Sequence, residues 1–537
     1  MTADSDCDIF VGTRHRTDKY GEAMQMTTAS ILNNVIGPVM PGSSSSHTAG
    51  PYHIAKMCRS MMGELPSEIS FTFEPASSIA EVYHEQGSDL ALVMGTLDLP
   101  LTDPRFKEAL SLFPSFGTDI KFIIKSFPEA CHPNSIKVEA RLKDGSSFSA
   151  VADSTGGGAL LFRRINGWEV EMTGDAYYVF VELAAERAPA VGAMLERFGS
   201  VAAGEKEGRA MLLLSASAPV DPGLIEKIRS EERPFSCHCA VPVFFPVRGE
   251  RIFTSGEEMV KYAEERGLTL GEAALEYESA LLCMPREALD AEMDRRLQVM
   301  IDSVALGLSD ESPQMFLLDP SAKKIMDAER EGRLALGGIH TRAAARAMAA
   351  MQVNSGQGIV CAAPTGGSAG VIPGIMVTML EDMKIPRRDA VRSMWAAGAI
   401  GWVLATRGTF AAEVCGCQVE IGAAGAMGAG AVVEAVGGLP RQAADAGAIM
   451  FQNAMGLVCD LVQAIVEIPC HTRNGSFASQ AFICADMILG GYHNAVNIDD
   501  TVDAVYSSGR MLPPELRCTS LGGIAVTPSA LSMPRKR

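Results

Sequence analysis

The sequence predicts three structural parts: an α+β N-terminal domain with a mixed or antiparallel sheet, a small β/α module, and a mostly α-helical C-terminal domain. Short strand-like runs alternate with helical patterns up to about residue 170. A strand–helix rhythm follows, and helical periodicity dominates beyond residue 250. A chain of 537 residues also has room for two to four domains at roughly 150 residues each.

The N-terminal domain is expected to span residues 27–170, after a flexible polar segment at residues 1–26. Helical patterns run from Tyr52 to Leu65 and from Arg105 to Phe113. Its strand-like runs are SEISFTFEP, DIKFIIKSF, SIKVEARL and SFSAVAD. This mixture predicts an α+β domain with a mostly antiparallel sheet.

The middle module is expected at residues 171–245. An apolar run, AYYVFVELAA, precedes a helical run, PAVGAMLERFG. A second strand (RAMLLLSAS), a second helix (DPGLIEKIRSEE) and a third apolar run (CAVPVFFPV) follow. This order is typical of a small ligand-binding module of the ACT-like type, and a structural linker is the alternative interpretation.

The C-terminal domain is expected to span residues 246–537. Ser255 and Glu258 have the spacing of a capping box at the start of one helix. Helical patterns continue from Thr269 to Cys283 and from Arg286 to Leu306, and the sequence beyond is rich in Ala, Gly and Met. Because small side chains let helices approach closely, we predict a compact helical bundle with a buried centre.

Composition narrows the class of partner. The net charge is −18 and aromatic residues make up 6% of the chain, which disfavours binding to phosphate backbones or unstacked bases. The first residues lack an apolar leader and the 13 cysteines are an odd number, which indicates a reduced, cytoplasmic setting. Proline and glycine interrupt the uncharged stretch from Gly358 to Leu380. We therefore expect no nucleic-acid partner and no membrane span.

The first candidate site is the run PGSSSSHTAGP, which begins at Pro41 and precedes a helical pattern. Hydroxyls at the positive end of a helix can hold an anion. His47, inside the run, can move a proton to or from that anion. A serine-rich loop that only caps the helix is the alternative. The hydroxyl residues are Ser44, Ser45, Ser46 and Thr48.

The second candidate is the turn APTGGSAG at residues 363–370, between an apolar run and a helical one. Glycine-rich turns expose backbone N–H groups to carboxylates or phosphates. The turn has no Gly-Lys-Ser/Thr ending, which disfavours a nucleotide P-loop.

The third candidate is a set of three cysteines, Cys417, Cys459 and Cys470, separated by 42 and 11 residues. These spacings match neither a zinc ribbon nor a ferredoxin. Taken as bare cysteines they are more typical of buried core thiols than of metal ligands, and Cys415 is an alternative to Cys417.

Together these motifs resemble, in order and spacing, the bacterial iron–sulfur-dependent L-serine dehydratases, which have a β-type and an α-type region. The similarity covers roughly residues 27–170 and 250–528. The segments that carry it are IGPVMPGSSSSHTAGP (36–51), SIAEVYHEQGSDLALVMGTL (78–97), HPN (132–134), VNSGQGIVCAAPTGGSAGVIP (353–373), GCQVEIG (416–422), CD (459–460) and PCHTRNG (469–475).

The resemblance implies that the chain dehydrates and deaminates L-serine to pyruvate and ammonia, as a homodimer, at the junction of its two regions. The three cysteines would hold a [4Fe–4S] cluster with one iron open, and an open iron can act as a Lewis acid on the leaving hydroxyl. It further implies His47 as the base and the serine-run hydroxyls as the carboxylate holders. Further donors to the substrate are expected from Thr365, Ser368 and Asn474.

Some features depart from the family pattern. The usual Asp-Pro-Ile/Val-Gly-Gly after the middle cysteine reads Asp460-Leu-Val-Gln-Ala464, which leaves the substrate open between serine, threonine, another β-hydroxy acid and cysteine. The C-terminal cysteine of some members is absent, and Cys518, its nearest replacement, is expected to be structural. A non-catalytic sensor with a cluster or zinc is the rival from another class.

Pyridoxal phosphate chemistry is disfavoured. Between residues 330 and 530 the only lysine is Lys384, in the charged segment EDMKIPRRD. A Schiff-base lysine needs a desolvated pocket that lowers its pKa, and such a segment is typical of a solvated turn.

Overall fold

Residues 28–75 and 77–536 are described by the computed structural model, so the segment at residues 1–26 that the sequence predicts to be flexible lies outside the described residues. In chain order the strands are β1 (Val39–Pro41), β2 (Glu68–Phe73), β3 (Asp119–Ile124), β4 (Ser135–Arg141), β5 (Ser147–Gly156), β6 (Ala159–Ile165), β7 (Trp168–Met172), β8 (Tyr177–Ala184), β9 (Ser200–Lys206), β10 (Arg209–Ala216), β11 (Ser236–Ala240) and β12 (Ile359–Cys361).

The α-helices of the described residues follow the same order. They are α1 (Gly50–Met62), α2 (Ser78–Val82), α3 (Ser88–Thr96), α4 (Ala109–Leu112), α5 (Ala188–Leu195), α6 (Pro222–Lys227), α7 (Gly256–Arg266), α8 (Leu270–Leu282), α9 (Arg286–Leu308), α10 (Ala322–Arg330), α11 (Ile339–Ser355), α12 (Val371–Glu381), α13 (Arg387–Arg407), α14 (Ala412–Cys415), α15 (Ile421–Ala435), α16 (Pro440–Ala454), α17 (Cys470–Leu489), α18 (Ile498–Arg510) and α19 (Pro528–Leu531).

The N-terminal sheet has six strands in the order β3-β2-β4-β5-β6-β7. β2 pairs parallel with β3 and antiparallel with β4, and the remaining neighbours are antiparallel. Alternate residues of β2, namely Ile69, Phe71 and Phe73, are fully buried, which fits a sheet with one face in the core. The mixed sheet predicted from the sequence is confirmed, and its last strand ends at Met172.

The middle segment forms a four-stranded antiparallel sheet in the order β11-β8-β10-β9, with helices α5 and α6 between strands. The predicted β/α module is therefore confirmed. The sequence missed β9, because its residues SVAAGEK are mostly exposed and show no apolar alternation. The third predicted apolar run, CAVPVFFPV, lies too far along the chain. The strand ends at Ala240, before Pro242 and Pro246.

The C-terminal part is the predicted helical bundle, and its centre is α15. Nearly every residue of that helix is buried, from Ile421 to Glu434. A Cβ added at Gly428 would lie 2.2 Å from the Cδ1 atom of Ile375 on α12. Only the missing side chain allows this approach, so the glycines and alanines of the sequence set the spacing of the helices.

The chain segment before β2 packs against both the helical C-terminal domain and the N-terminal domain. A single helical turn at Ile31–Val35 packs inside the helical core, where the carboxylate of Glu278 accepts hydrogen bonds from the backbone N–H groups of Ile31 (2.9 Å) and Leu32 (3.0 Å). β1 then pairs antiparallel with β12, so that Met40 lies opposite Val360. This ladder places the serine-rich run beside the glycine-rich turn.

Among the described residues, no helix combines the length and the apolar character that crossing a bilayer requires.

Candidate active site

The serine-rich run forms one helical turn, Ser45–Ala49, that leads directly into α1. Its side chains are buried, including those of Ser44, Ser46 and Thr48. Ser44 caps the turn, because its Oγ accepts a hydrogen bond from the backbone N–H of His47 at 3.4 Å. The run therefore caps a helical turn and places its hydroxyls near the positive end of α1, and the binding of an anion by these hydroxyls stays a prediction.

His47 is fully buried and has polar neighbours on both ring nitrogens. Its Nε2 lies 3.1 Å from Oδ1 of Asn134, and its Nδ1 lies 3.1 Å from Oγ of Ser44 and 3.5 Å from Oε1 of Glu413. Burial lowers the pKa of His47 below the ordinary 6.5, although the Glu413 carboxylate opposes part of that shift. The imidazole is therefore neutral at pH 7. Since the amide oxygen of Asn134 can only accept, Nε2 carries the hydrogen, and the unprotonated Nδ1 accepts from the Ser44 hydroxyl.

Three groups around His47 each have one buried polar atom without a hydrogen-bond partner. These atoms are Nδ2 of Asn134, Oε1 of Gln86 and Oε2 of Glu413. A buried polar atom left unpaired costs about 1–3 kcal/mol. Three such atoms around one imidazole indicate a site that is completed by a polar ligand.

The glycine-rich turn lies against the serine run. The backbone N–H of Gly366 donates to Oγ of Ser45 at 3.2 Å. Within the turn, the hydroxyls of Thr365 and Ser368 lie 3.1 Å apart. Asn474 on α17 holds the turn from the other side, because its Oδ1 accepts from Gly370 N–H (3.1 Å) and its Nδ2 donates to the Gly367 carbonyl (2.9 Å).

Replacing Gly366 by alanine tests how tightly the two loops approach. The added Cβ would lie 2.7 Å from the carbonyl oxygen of Ser43 and 2.8 Å from the backbone N of Ser45, so backbone must move. We expect a loss of about 1–3 kcal/mol in the free energy of unfolding, as for other overpacked sites. Thermal denaturation measures it. Gly192→Ala, where nothing lies within 4 Å of the added Cβ, is the control, and an equally stable Gly366→Ala variant would contradict the close approach.

The predicted cysteines converge next to this turn. Cys417 and Cys459 lie in one buried group with Glu420, and the three ligand atoms are within 4.8 Å of one another. Glu420 also hydrogen-bonds Thr365, which links the group to the glycine-rich turn. Burial, and then the charge of Glu413, raise the pKa of Glu420 to about 8. At pH 7 its carboxyl therefore stays protonated beside the thiols.

Cys470 is the first residue of α17 and is also buried, outside that group of three. Burial, and then the charge of Cys417, raise the pKa of the Cys470 thiol. The guanidinium of Arg473 lies close to these thiols and is held by Oδ1 of Asp460 at 3.0 Å. The guanidinium supplies a positive charge next to the cysteines, which are anionic thiolates when they bind a metal.

Cys518 also lies at this group. Its thiol hydrogen-bonds the thiol of Cys459, and its backbone N–H donates to the Cys459 carbonyl at 2.9 Å. The Cys518 carbonyl accepts from Oγ of Ser78, which lies 3.4 Å from Nε2 of His47. Cys415, the alternative to Cys417, instead directs its thiol toward the Tyr506 carbonyl, 3.8 Å away.

The segment after Cys459 keeps a backbone shape that glycine favours, although it holds no glycine. Gln463 and Ala464 have φ angles of 54° and 63°, where the family pattern has two glycines. The Gln463 side chain also makes contacts that a glycine cannot, since its Nε2 donates to the Met533 carbonyl at 2.7 Å and its Oε1 accepts from Nε of Arg535 at 3.0 Å. The change therefore attaches the C-terminal tail to this loop.

Most of the predicted site residues thus lie in one region, where the Thr48 hydroxyl donates to the Gln86 carbonyl at 2.8 Å. Sequence reasoning missed Glu413, Glu420 and Gln86. Glu420 lies in the motif GCQVEIG, and Gln86 lies in the motif SIAEVYHEQGSDLALVMGTL. For Glu420 the available signal was a carboxylate next to a candidate cysteine. Glu413, four residues before Cys417, had no such mark.

Comparison with known proteins places these features in a family. Residues 265–525 match the family model described as serine dehydratase alpha chain. The chain is 36% identical over 285 residues to the probable L-serine dehydratase, alpha chain, of Bacillus subtilis, which covers 53% of this chain and 95% of that protein. It is 33% identical over 275 residues to the L-serine dehydratase, alpha chain, of Peptoniphilus asaccharolyticus (51% and 94%). An L-serine dehydratase of Streptomyces coelicolor is 32% identical over 284 residues (51% and 61%).

Proposed function

The chain belongs to the bacterial L-serine dehydratase family, and on that premise we propose that it dehydrates and deaminates L-serine to pyruvate and ammonia with a [4Fe–4S] cluster held by Cys417, Cys459 and Cys470. The observation that carries the proposal is the proximity of the two halves of the site. The buried thiols adjoin the glycine-rich turn through Glu420 and Thr365, and that turn adjoins the serine run through Ser45.

The residues fit an iron–sulfur cluster. Cysteine sulfurs are the ligands that such clusters take, and here the cysteine side chains are buried beside a guanidinium and a protonated carboxyl. When bound, a cluster with one iron not ligated by protein supplies a Lewis acid for the departing substrate hydroxyl. Cys417, Cys459 and Cys470 would hold that group as thiolates, and the surrounding buried residues exclude bulk water.

The substrate carboxylate is proposed to bind at the serine run. The Oγ atoms of Ser44, Ser45 and Ser46 lie at the positive end of α1, where an anion is stabilised by the helix dipole and by backbone N–H groups. The substrate ammonium would satisfy the unpaired oxygens of Gln86 and Glu413. These contacts orient the Cα–H bond toward His47.

His47 is proposed as the base that removes the α-proton. Nδ1 takes the proton while Nε2–H stays bonded to Asn134, and the Glu413 carboxylate stabilises the imidazolium that forms. Loss of the proton and the hydroxyl leaves an enamine, which tautomerises and hydrolyses to the 2-oxo acid and ammonia.

Anaerobic purification and assay test the proposal. We expect a brown protein with about four irons per chain that releases 2-oxo acid fastest from L-serine among L-serine, L-threonine and L-cysteine. Faster release from L-threonine or L-cysteine would support the same lyase chemistry but would replace L-serine as the proposed substrate. A colourless protein that holds zinc and releases no 2-oxo acid would support the sensor instead. The homodimer and the cytoplasmic location stay predictions.

The pH dependence of the Glu413→Gln variant tests the pairing with His47. The carboxylate raises the pKa of His47, while burial and the nearby His132 lower it. Removing the negative charge must lower that pKa further, so the acidic limb of kcat/KM against pH is expected to move to lower pH. We also expect kcat to fall roughly tenfold, because the imidazolium loses its counter-charge. An unchanged acidic limb would show that Glu413 does not act on the base.

A further inference from the structure

Two cysteines outside the proposed active site form a pair on the middle module. Cys237 and Cys239 lie on β11, and residues two apart in a strand share a face. Both side chains are partly buried and pack at the margin of the module's core, and their thiols hydrogen-bond each other. Nothing in the proposed dehydratase chemistry uses them.

The pair has the electrostatic surroundings of a reactive dithiol. The guanidinium of Arg229 donates from Nη2 to the Cys237 carbonyl at 3.3 Å and also lies against the Cys237 thiol. The hydrogen bond from Cys239, and then the charge of Arg229, lower the pKa of Cys237 to about 7, although burial opposes the shift. The same hydrogen bond raises the pKa of Cys239, which therefore keeps its proton and acts as the donor. A thiolate of this kind is a good nucleophile near neutral pH.

The strand that carries the pair can adjust its backbone. β11 is at the edge of its sheet and pairs with β8 alone among the strands of the described residues. Residues two apart in an extended strand have Cα atoms about 6.6 Å apart, near the upper end of the range for a disulfide. The other side of β11 is held by side chains and not by a strand, since Nη2 of Arg229 and Oγ of Ser60 donate to the carbonyls of Cys237 and Cys239 at 3.3 and 3.5 Å. Side-chain donors can follow a small contraction of the strand more easily than a second paired strand could.

Metal binding by the pair is less well supported. His238 lies between the two cysteines but points to the opposite face, where its Nδ1 is 3.0 Å from the Met61 carbonyl. The pair then has two sulfur ligands on its face, fewer than a zinc site requires.

We propose that Cys237 and Cys239 are a thiol–disulfide exchange site that reacts with a small-molecule disulfide such as oxidised glutathione. The Cys237 thiolate attacks one sulfur of that disulfide, a mixed disulfide forms, and one glutathione thiolate leaves. Cys239 then loses its proton and attacks the Cys237 sulfur, which forms the Cys237–Cys239 bond and releases the second glutathione thiolate. Two cysteine thiols are oxidised, and one glutathione disulfide is reduced to two thiols.

Peptide mapping of the full-length protein tests this. The protein is treated with oxidised glutathione at pH 7, quenched with acid, alkylated and digested with trypsin. Cleavage gives one peptide, residues 230–248, that contains Cys237 and Cys239 and no other cysteine, and Cys283 lies on a separate peptide. We expect the 230–248 peptide to lose two hydrogens and to carry neither alkyl groups nor glutathione.

Two variants and one internal control separate the steps. Cys239→Ser is expected to accumulate glutathione on Cys237, because the resolving thiol is missing, and Cys237→Ser is expected to leave Cys239 reduced over the same time. Cys283 is exposed and reports the reaction of a single thiol, which stops at the mixed disulfide. The proposal is overturned if the wild-type 230–248 peptide stays fully alkylated when Cys283 carries glutathione, or if glutathione remains on Cys237 of the wild type.

Discussion

Replacing Cys459 by alanine is expected to abolish cluster iron and dehydratase activity together. Cys459 is the central thiol of the site, since it shares a buried group with Cys417 and Glu420 and also contacts Cys518. Removing its sulfur leaves two of the three proposed ligands, and partial ligand sets bind metal far more weakly. Iron per chain should fall from about four to near zero, and 2-oxo acid release should become undetectable.

The fold of this variant should survive. The backbone of Cys459 is held by main-chain hydrogen bonds, from its N–H to the Leu516 carbonyl (2.8 Å) and from Cys518 N–H to its carbonyl (2.9 Å), and alanine keeps both. Circular dichroism checks this directly. The matched control is Cys484→Ala, which removes another buried thiol of the helical domain and should retain iron and activity. An iron-replete, active Cys459→Ala enzyme would refute the cluster assignment.

Replacing His47 by asparagine is expected to separate iron binding from turnover. The side chain contacts Ser44, Asn134 and Glu413, and within the described part of the chain it makes no hydrogen bond to Cys417, Cys459 or Cys470. Iron content and the visible absorption should therefore match the wild type. Loss of a general base reduces kcat by about 10²–10⁴-fold, and steady-state assay of 2-oxo acid release measures it.

The control for this second variant is His53→Asn. His53 lies on α1 a few residues further along, is buried, and directs Nδ1 to the Gly158 carbonyl at 2.8 Å. Burial lowers the pKa of His53 to about 4, so it resembles His47 in burial and in its neutral state. The His53→Asn variant should therefore keep the wild-type kcat per folded molecule. A His47→Asn enzyme with more than a tenth of the wild-type kcat would show that another group removes the α-proton.

The sequence allowed the polar runs of the site to be predicted because each is continuous along the chain. The serine run with His47 and the turn with Thr365 and Ser368 carry their hydroxyls within a few residues, and helix or turn geometry then follows locally. The spacing of Cys417 and Cys459 pointed to a cluster only through the family pattern, since isolated cysteines are usually core residues.

Other features depended on contacts between distant residues. Strand β9 forms because β10 offers its backbone hydrogen bonds, although the residues of β9 have little apolar character. The glycine-like backbone at Gln463 and Ala464 is likewise maintained by surrounding contacts, such as the hydrogen bond from Gln86 Nε2 to the Ala464 carbonyl at 3.0 Å.

The sequence by itself determined the order of a mixed sheet, a β/α module and a helical bundle, because periodicity and side-chain size act over short stretches. It also determined the family. Only the tertiary structure decided which groups surround the imidazole of His47, since Asn134 and Glu413 come from parts of the chain far from it in sequence. The physical reason is burial: the packed fold removes water from these groups, and the loss of hydration sets their pKa values and leaves polar atoms for a ligand to satisfy.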